Sequence, residues 1–179
     1  CADVTGVQTC ALPISSLCQL SAVHTDIFKM VLTTAQRAAI QNNWATVKAN
    51  MQEYGDALFM RYLLANPGDI SFFTKFSSAG VGAQLRSNEA FQAQTLTVMN
   101  FLSQVVDSLA DIDAAGKMLR ERVRTHAPRG IGMSQFERLL DLLPRFLQET
   151  AGAHGPCADA WRVAIASLMP SMRDEFSRM

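Results

Sequence analysis

The stretch from Arg120 to Phe136 constrains this chain more than any other. It reads as a helix end, a corner and the start of a second helix. Leu119, Val123 and His126 fall at i, i+4 and i+7 on one helical face, while Arg120, Arg122 and Arg124 take the other faces. Pro128 and Gly130 then stop the helix, because proline has no N–H for the helical ladder and glycine tolerates a reversal. An imidazole therefore closes an otherwise apolar stripe. Such a group is a ready ligand for iron or zinc. It can equally be a core histidine bonded to a carbonyl, or a helix-end histidine facing the dipole. The stretch alone leaves these readings open.

The rest of the chain is helical in pattern. Thr33 or Thr34 can cap a first helix with a stripe of Ile40, Trp44 and Val47. Met51, Ala57, Leu58, Phe59, Tyr62 and Leu63 continue it in a second helix. Gly55 inside that helix costs about 1 kcal/mol relative to Ala, which signals close approach of another helix or mere tolerance. Ala65 to Asp69 breaks the pattern, and Pro67 can open a short new helix. Phe72, Phe73 and Phe76 crowd the next corner, and residues 77–82 read as a flexible linker. Ser87 to Asp107 reads as a long helix with Phe91, Val98, Leu102 and Val105 along one face. Gln94 interrupts that face four residues before Val98. A buried amide needs a partner, so Gln94 either faces a ligand or bonds across the core. Asp111 to Thr125 form the helix that carries His126, and Ser134–Glu149 and Cys157–Phe176 complete the set. Pro144 and Pro170, inside the last two, should kink them. No strand pattern, internal repeat or phosphate-binding glycine loop appears. The class is all-α.

Composition sets the remaining bounds. The 179 residues suffice for one domain with a sizeable core. Sixteen basic and 16 acidic residues cancel, so charge offers no reason to expect a nucleic-acid or anionic-membrane partner. A hydrophobic content of 49 % argues against disorder. Ten Phe and nine Met suit an apolar pocket, and equally an ordinary helical core. The cysteines Cys1, Cys10, Cys18 and Cys157 form no Cys-x-x-Cys pair, so zinc spacing is absent. Beyond residue 18 only Cys157 remains, which fits a reducing compartment and a cytoplasmic protein. No apolar run approaches the roughly 20 residues of a membrane span. Residues 1–29 look unlike the rest. They hold no Lys or Arg before Lys29, and Thr5 to Ile14 resembles translated sequencing-adapter read-through. Met30 followed by Val31-Leu32-Thr33 reads like a true start. Residues 1–30 are therefore set apart as a non-native or disordered extension.

These pieces, in this order, resemble a globin over residues 31–179. Trp44 stands where globins carry a first-helix tryptophan. Pro67, with Phe73 six residues on, resembles the family's proline and its corner phenylalanine, which packs on the haem. Phe76 matches the second corner phenylalanine, Gln94 and Val98 the distal pair, and His126 the proximal ligand. The corner into Phe136-Glu137-Arg138-Leu139 resembles the next helix of annelid-type intracellular globins. Spacings from Val31 to Val98 agree with vertebrate myoglobin. A few extra residues fall before His126, and a similar number are missing before the last helix. Gln94 replaces the commoner His, and Thr95 stands opposite Gly55 where a smaller residue is usual.

The resemblance implies a globin fold of about seven to eight helices around a haem b pocket. It implies that Phe59, Phe73, Phe76, Gln94, Val98, Val123, His126, Ile131 and Phe136 contact the haem, with His126 on the iron. His24 lies in the set-apart segment and His154 in a surface turn, so His126 is the good candidate. Its second nitrogen should donate one turn back, to the Arg122 carbonyl or near Thr125. Lys75 on the corner is a candidate partner for a haem propionate. The implied function is reversible binding of O₂ and related gases such as CO and NO, with a Gln94 amide donating to bound O₂. Peroxidase or nitric-oxide dioxygenase chemistry in the same pocket is the alternative, so enzyme status stays open. Gln94 lacks a titrating proton and is the poorer acid–base group. A haem-free helical interaction module is the third reading, which His126 and Phe73 argue against. A homo-oligomer stays open.

Overall fold

Thr33 starts the first helix as the pattern predicts. In the computed structural model, which describes residues 32–179, α1 (Thr34–Ala49) opens on a capping box. Gln36 N–H donates to Thr33 Oγ1 at 3.1 Å, and Thr33 N–H donates to Gln36 Oε1 at 2.9 Å. The expectations for residues 1–30, and for Val31, lie outside the described residues.

Five further α-helices follow: α2 (Met51–Ala65), α3 (Glu89–Asp107), α4 (Ile112–His126), α5 (Met133–Thr150) and α6 (Pro156–Ser177). Pro67 opens a 3-10 helix, Pro67–Phe72, the seventh helix of the fold. Among the described residues there is no strand, so the all-α expectation holds. The segment at 77–82 is more ordered than a free linker: 3-10 turns at Ser77–Ala79 and Ala83–Ser87 carry the chain into α3. That helix starts at Glu89 rather than Ser87, because Asn88 Oδ1 accepts from Ala90 N–H at 3.0 Å and Phe91 N–H at 3.1 Å. α5 and α6 run unbroken through Pro144 and Pro170.

Two apolar clusters hold the helices together. One gathers Ile40, Trp44, Val47, Leu147, Trp161 and Met172 from α1, α5 and α6. The other gathers Phe59, Leu63, Phe76, Leu85 and Phe91 from α2, α3 and the corner between them. Each such side chain, fully buried, contributes about 1.5–3 kcal/mol. α2 and α3 cross tightly at Gly55, where a Cβ would lie 2.7 Å from Met99 Cγ and 3.3 Å from the Thr95 carbonyl. Close approach is therefore what Gly55 provides. Thr95 is accommodated because it is wholly buried with its hydroxyl bonded to Asp56 and to Gln92 O. α4 packs along α6, and the two are tied by Arg124 Nε to Glu175 at 2.7 Å. α3 and α4 touch little, and between them the fold leaves a cavity.

Candidate functional site

α4 delivers His126 to that cavity as its last residue. Asp111 Oδ1 caps the start of the helix, accepting from Ala114 N–H at 3.0 Å. At the other end Pro128 sits in a 3-10 turn, Ala127–Arg129, and Gly130 turns left-handed at φ 80°. The chain then reverses into α5, whose Phe136 ring meets the His126 imidazole edge-on at 5.4 Å.

The cavity measures about 210 Å³. Its walls come from α2 (Phe59, Tyr62), the corner (Asp69, Phe72, Phe73), α3 (Gln94, Thr97, Val98, Phe101, Leu102), α4 (Leu119, Arg122, His126) and the turn after it (Arg129, Ile131). α5 closes it with Gln135, Phe136, Leu139 and Leu140. Of the expected site residues, Phe59, Phe73, Gln94, Val98, His126, Ile131 and Phe136 meet here. Phe76 and Val123 do not. Phe76 is 2 % exposed and stacks behind Phe73 at 5.1 Å, so it backs the wall. Val123 is wholly buried in the core against the neighbouring helices. Leu119 and His126, seven residues apart, look into the cavity, and the helical twist turns Val123 away from it.

His126 is half-buried and oriented. Its Nδ1 lies 2.8 Å from the Arg122 carbonyl and 3.2 Å from Thr125 Oγ1. A carbonyl only accepts, so Nδ1 carries the proton and Nε2 is the lone-pair nitrogen. Burial holds the imidazole below its ordinary value, against the Arg122 carbonyl bond and together with the charges of Arg129 and Arg122. Gln94 is partly exposed to the cavity and makes no side-chain hydrogen bond among the described residues. The core-bonded reading of Gln94 is thereby set aside.

Three polar features escaped the sequence reading. Arg122 does not take an outer face: it lines the cavity, its guanidinium 4.3 Å over the Phe101 ring. The signal was its i, i+4 spacing to His126. Arg129 joins it in the wall, and neither arginine has an ion-pair partner among the described residues. The third feature is a cluster in which Tyr62 Oη donates to Asp69 Oδ2 and Arg138 Nη2 donates to the same oxygen at 2.7 Å. Burial raises the Asp69 carboxyl, but Tyr62, Arg138 and Gln135 outweigh it and hold the group below the usual carboxylate range. No local pattern joins these residues, which come from α2, the corner and α5. Lys75 is exposed on the corner and outside the cavity wall.

Comparisons with known proteins give the family and the fold. The globin family model matches residues 56–172. A globin of Nerita albicilla is 27 % identical over 156 residues, covering 86 % of this chain and 98 % of that one. Hemoglobin-2 of Phacoides pectinatus is 27 % identical, with 80 % and 94 % covered. Among solved structures, a double mutant of Aplysia limacina myoglobin aligns with a TM-score of 0.71 at 23 % identity, covering 80 % of this chain and 97 % of that one. A hexacoordinated heme protein from an anhydrobiotic tardigrade aligns at 0.73 with 22 % identity, covering 83 % and 97 %. With the family model matched over most of the described helices, this chain belongs to the globin family.

Proposed function

We propose that this globin would hold haem b in the cavity between α3 and α4, with His126 as a ligand to the iron, and would bind O₂ reversibly beside Gln94. The observation that carries the reading is the paired geometry of the two residues. His126 Nδ1–H is committed to the Arg122 carbonyl at 2.8 Å, which leaves Nε2 as the donor to a metal. Gln94 brings an unpartnered amide into the same cavity. The donor set fits the group. A flat apolar macrocycle needs the phenylalanine and leucine walls, one neutral nitrogen, and cations for its two carboxylates, which Arg122 and Arg129 in the wall could supply.

When bound, the iron supplies a centre that takes up a diatomic gas and releases it unchanged. Everything else falls to the chain. Burial keeps His126 neutral, as a ligand must be. The Arg122 carbonyl fixes its tautomer and ring plane. A Gln94 N–H would donate to a polar ligand bound in the cavity, an interaction worth about 1–2 kcal/mol. Phe59, Phe73 and Val98 exclude water around it. Gln94 has no proton to titrate, so it does not serve as the acid–base group that peroxide cleavage uses. That ranks gas carriage ahead of peroxidase or nitric-oxide dioxygenase activity. One cysteine among the described residues, Cys157, is free, in keeping with a cytoplasmic setting.

Visible spectra of the haem-reconstituted protein test the reading, recorded ferric, reduced, with CO and with O₂. A pentacoordinate reduced spectrum and a stable O₂ form are expected. His126→Gly should lose these features and regain them with added imidazole. A parent protein with no Soret band would end the haem reading.

A further inference from the structure

A positive charge faces the cavity from one turn before His126. Arg122 lies in the wall, half-buried, with its guanidinium 4.3 Å over the Phe101 ring of α3. Arg122 and His126 stand four residues apart on α4, a spacing that sets side chains about 5–6 Å apart at Cβ. The ring contact attracts the guanidinium but does not neutralise it. Among the residues that line the cavity, Asp69 alone is acidic, and Tyr62 and Arg138 already hold it. On α4 itself, Glu121 pairs with Arg124. Arg129, the second wall cation, is exposed and reaches solvent, where a haem carboxylate would also sit. Arg122 is thus the half-buried charge of this wall with nothing of opposite sign beside it.

We propose that Arg122 sets the redox preference of the iron, its fixed charge favouring the ferrous state that takes up gas. The inference rests on the haem reading above. Ferrous iron and the doubly negative porphyrin ring make a neutral core. Loss of one electron raises that core to plus one. The electron goes to an external one-electron acceptor, or to an O₂ that departs as superoxide. No proton moves, and no bond within the chain forms or breaks.

The sign follows from Coulomb's law. A fixed cation leaves a neutral core nearly unaffected and repels a positive one, so it disfavours oxidation. Two unit charges on the order of 10 Å apart, at an effective dielectric of about 20, repel enough to shift a ferric-to-ferrous ratio on the order of tenfold. The surroundings preserve the field. Phe101, Leu102, Leu119 and Leu140 line the same cavity, and apolar walls around a metal lower the local dielectric. A charge in open solvent would instead be screened over about 8 Å at physiological salt. The residue type matters as well. Arginine stays protonated at every working pH and stacks on aromatic faces, so Phe101 keeps the charge from swinging out to water on its long stem. Gln94 is neutral and does not offset it.

Spectroelectrochemical titration of the full-length, haem-reconstituted protein provides the test. Arg122→Met removes the charge and keeps the backbone carbonyl that orients His126. At the parent's midpoint its ferric-to-ferrous ratio should rise on the order of tenfold, and its oxygenated form should oxidise several-fold faster in air. Arg122→Lys retains the charge and should stay close to the parent. The shift in Arg122→Met should persist when haem dimethyl ester, which has no free carboxylates, replaces haem. An unchanged ratio in Arg122→Met overturns the inference, while a normal Soret band leaves the haem site standing. An equal shift in Arg122→Lys also overturns it, because lost packing rather than lost charge would then be the cause. A shift that disappears with the ester overturns it too, and makes Arg122 a carboxylate clamp. A parent without a Soret band overturns both readings. Should Arg122→Met fail to take up haem, Phe101→Leu decides. Freeing the guanidinium to reach water should raise the ratio severalfold, and an unchanged ratio overturns the inference.

Discussion

Gln94 brings two N–H donors into a wall otherwise built from Phe59, Phe73 and Val98. Its value lies in one hydrogen bond, so Gln94→Leu keeps the volume and removes the donor. Loss of about 1–2 kcal/mol corresponds to about tenfold faster O₂ dissociation, measurable by stopped flow. An unchanged rate would mean that the amide points elsewhere in the loaded protein. A second residue carries stability rather than ligand. Asn43 is buried, donating to the Ala151 carbonyl at 2.7 Å and accepting from Trp161 Nε1 at 3.0 Å. It thereby ties α1 to α6 and to the turn before it. Asn43→Ala leaves both partners unsatisfied and should cost about 1–3 kcal/mol, read as a lower urea midpoint. Trp44 Nε1, packed beside Trp161, already lacks a partner, so this part of the core has no spare acceptor to offer.

At the scale of elements, α2 and α3 both contribute to the cavity wall and cross at Gly55. Gly55 makes that crossing close. Gly55→Val should push Met99 and the Thr95 backbone away, lowering stability by on the order of 2 kcal/mol through overpacking. Calorimetry would register the loss, and a melting temperature equal to the parent's would show that the helices slide apart without strain. Helix positions were largely legible in sequence because their signals are local: a threonine cap at Thr33, a start at Asp111, and Pro128 and Gly130 closing α4, whereas α3 was read from Ser87 and begins at Glu89 behind its Asn88 cap. The linker at 77–82 was less legible. Its Ser and Gly residues fit a loop in isolation, but Phe76 and Leu85 on either side are buried under α2 and α3 and draw the segment into 3-10 turns.

On the scale of the whole molecule, ion pairs between elements govern the response to acid. Glu149 bridges Arg61 of α2 and Arg145 of its own helix α5, and Arg61 chiefly, then Arg145, holds it down at about 2 from the ordinary 4.5. A carboxylate depressed in the folded state stabilises fully above its unfolded value and loses that contribution as pH falls through the folded one. Asp69 and Glu175 are lowered as well and act in the same direction. The urea midpoint should therefore fall as pH drops from 4.5 towards about 2, and Glu149→Gln should flatten part of that slope while changing little at pH 7, where solvent screens the exposed pair. An equally steep slope in the variant would remove Glu149 from the account. The local order of residues was enough to establish an all-α chain, the histidine at the end of an apolar stripe, the glutamine set in another, and the resemblance to globins. Periodicity and capping act within a few residues and survive in any context. Three-dimensional packing alone decided that Val123 and Phe76 stand behind the cavity wall, that Arg122 turns inward over Phe101, and that Tyr62, Asp69 and Arg138 meet. Which way a side chain faces depends on neighbours brought from distant helices, and no local pattern encodes them.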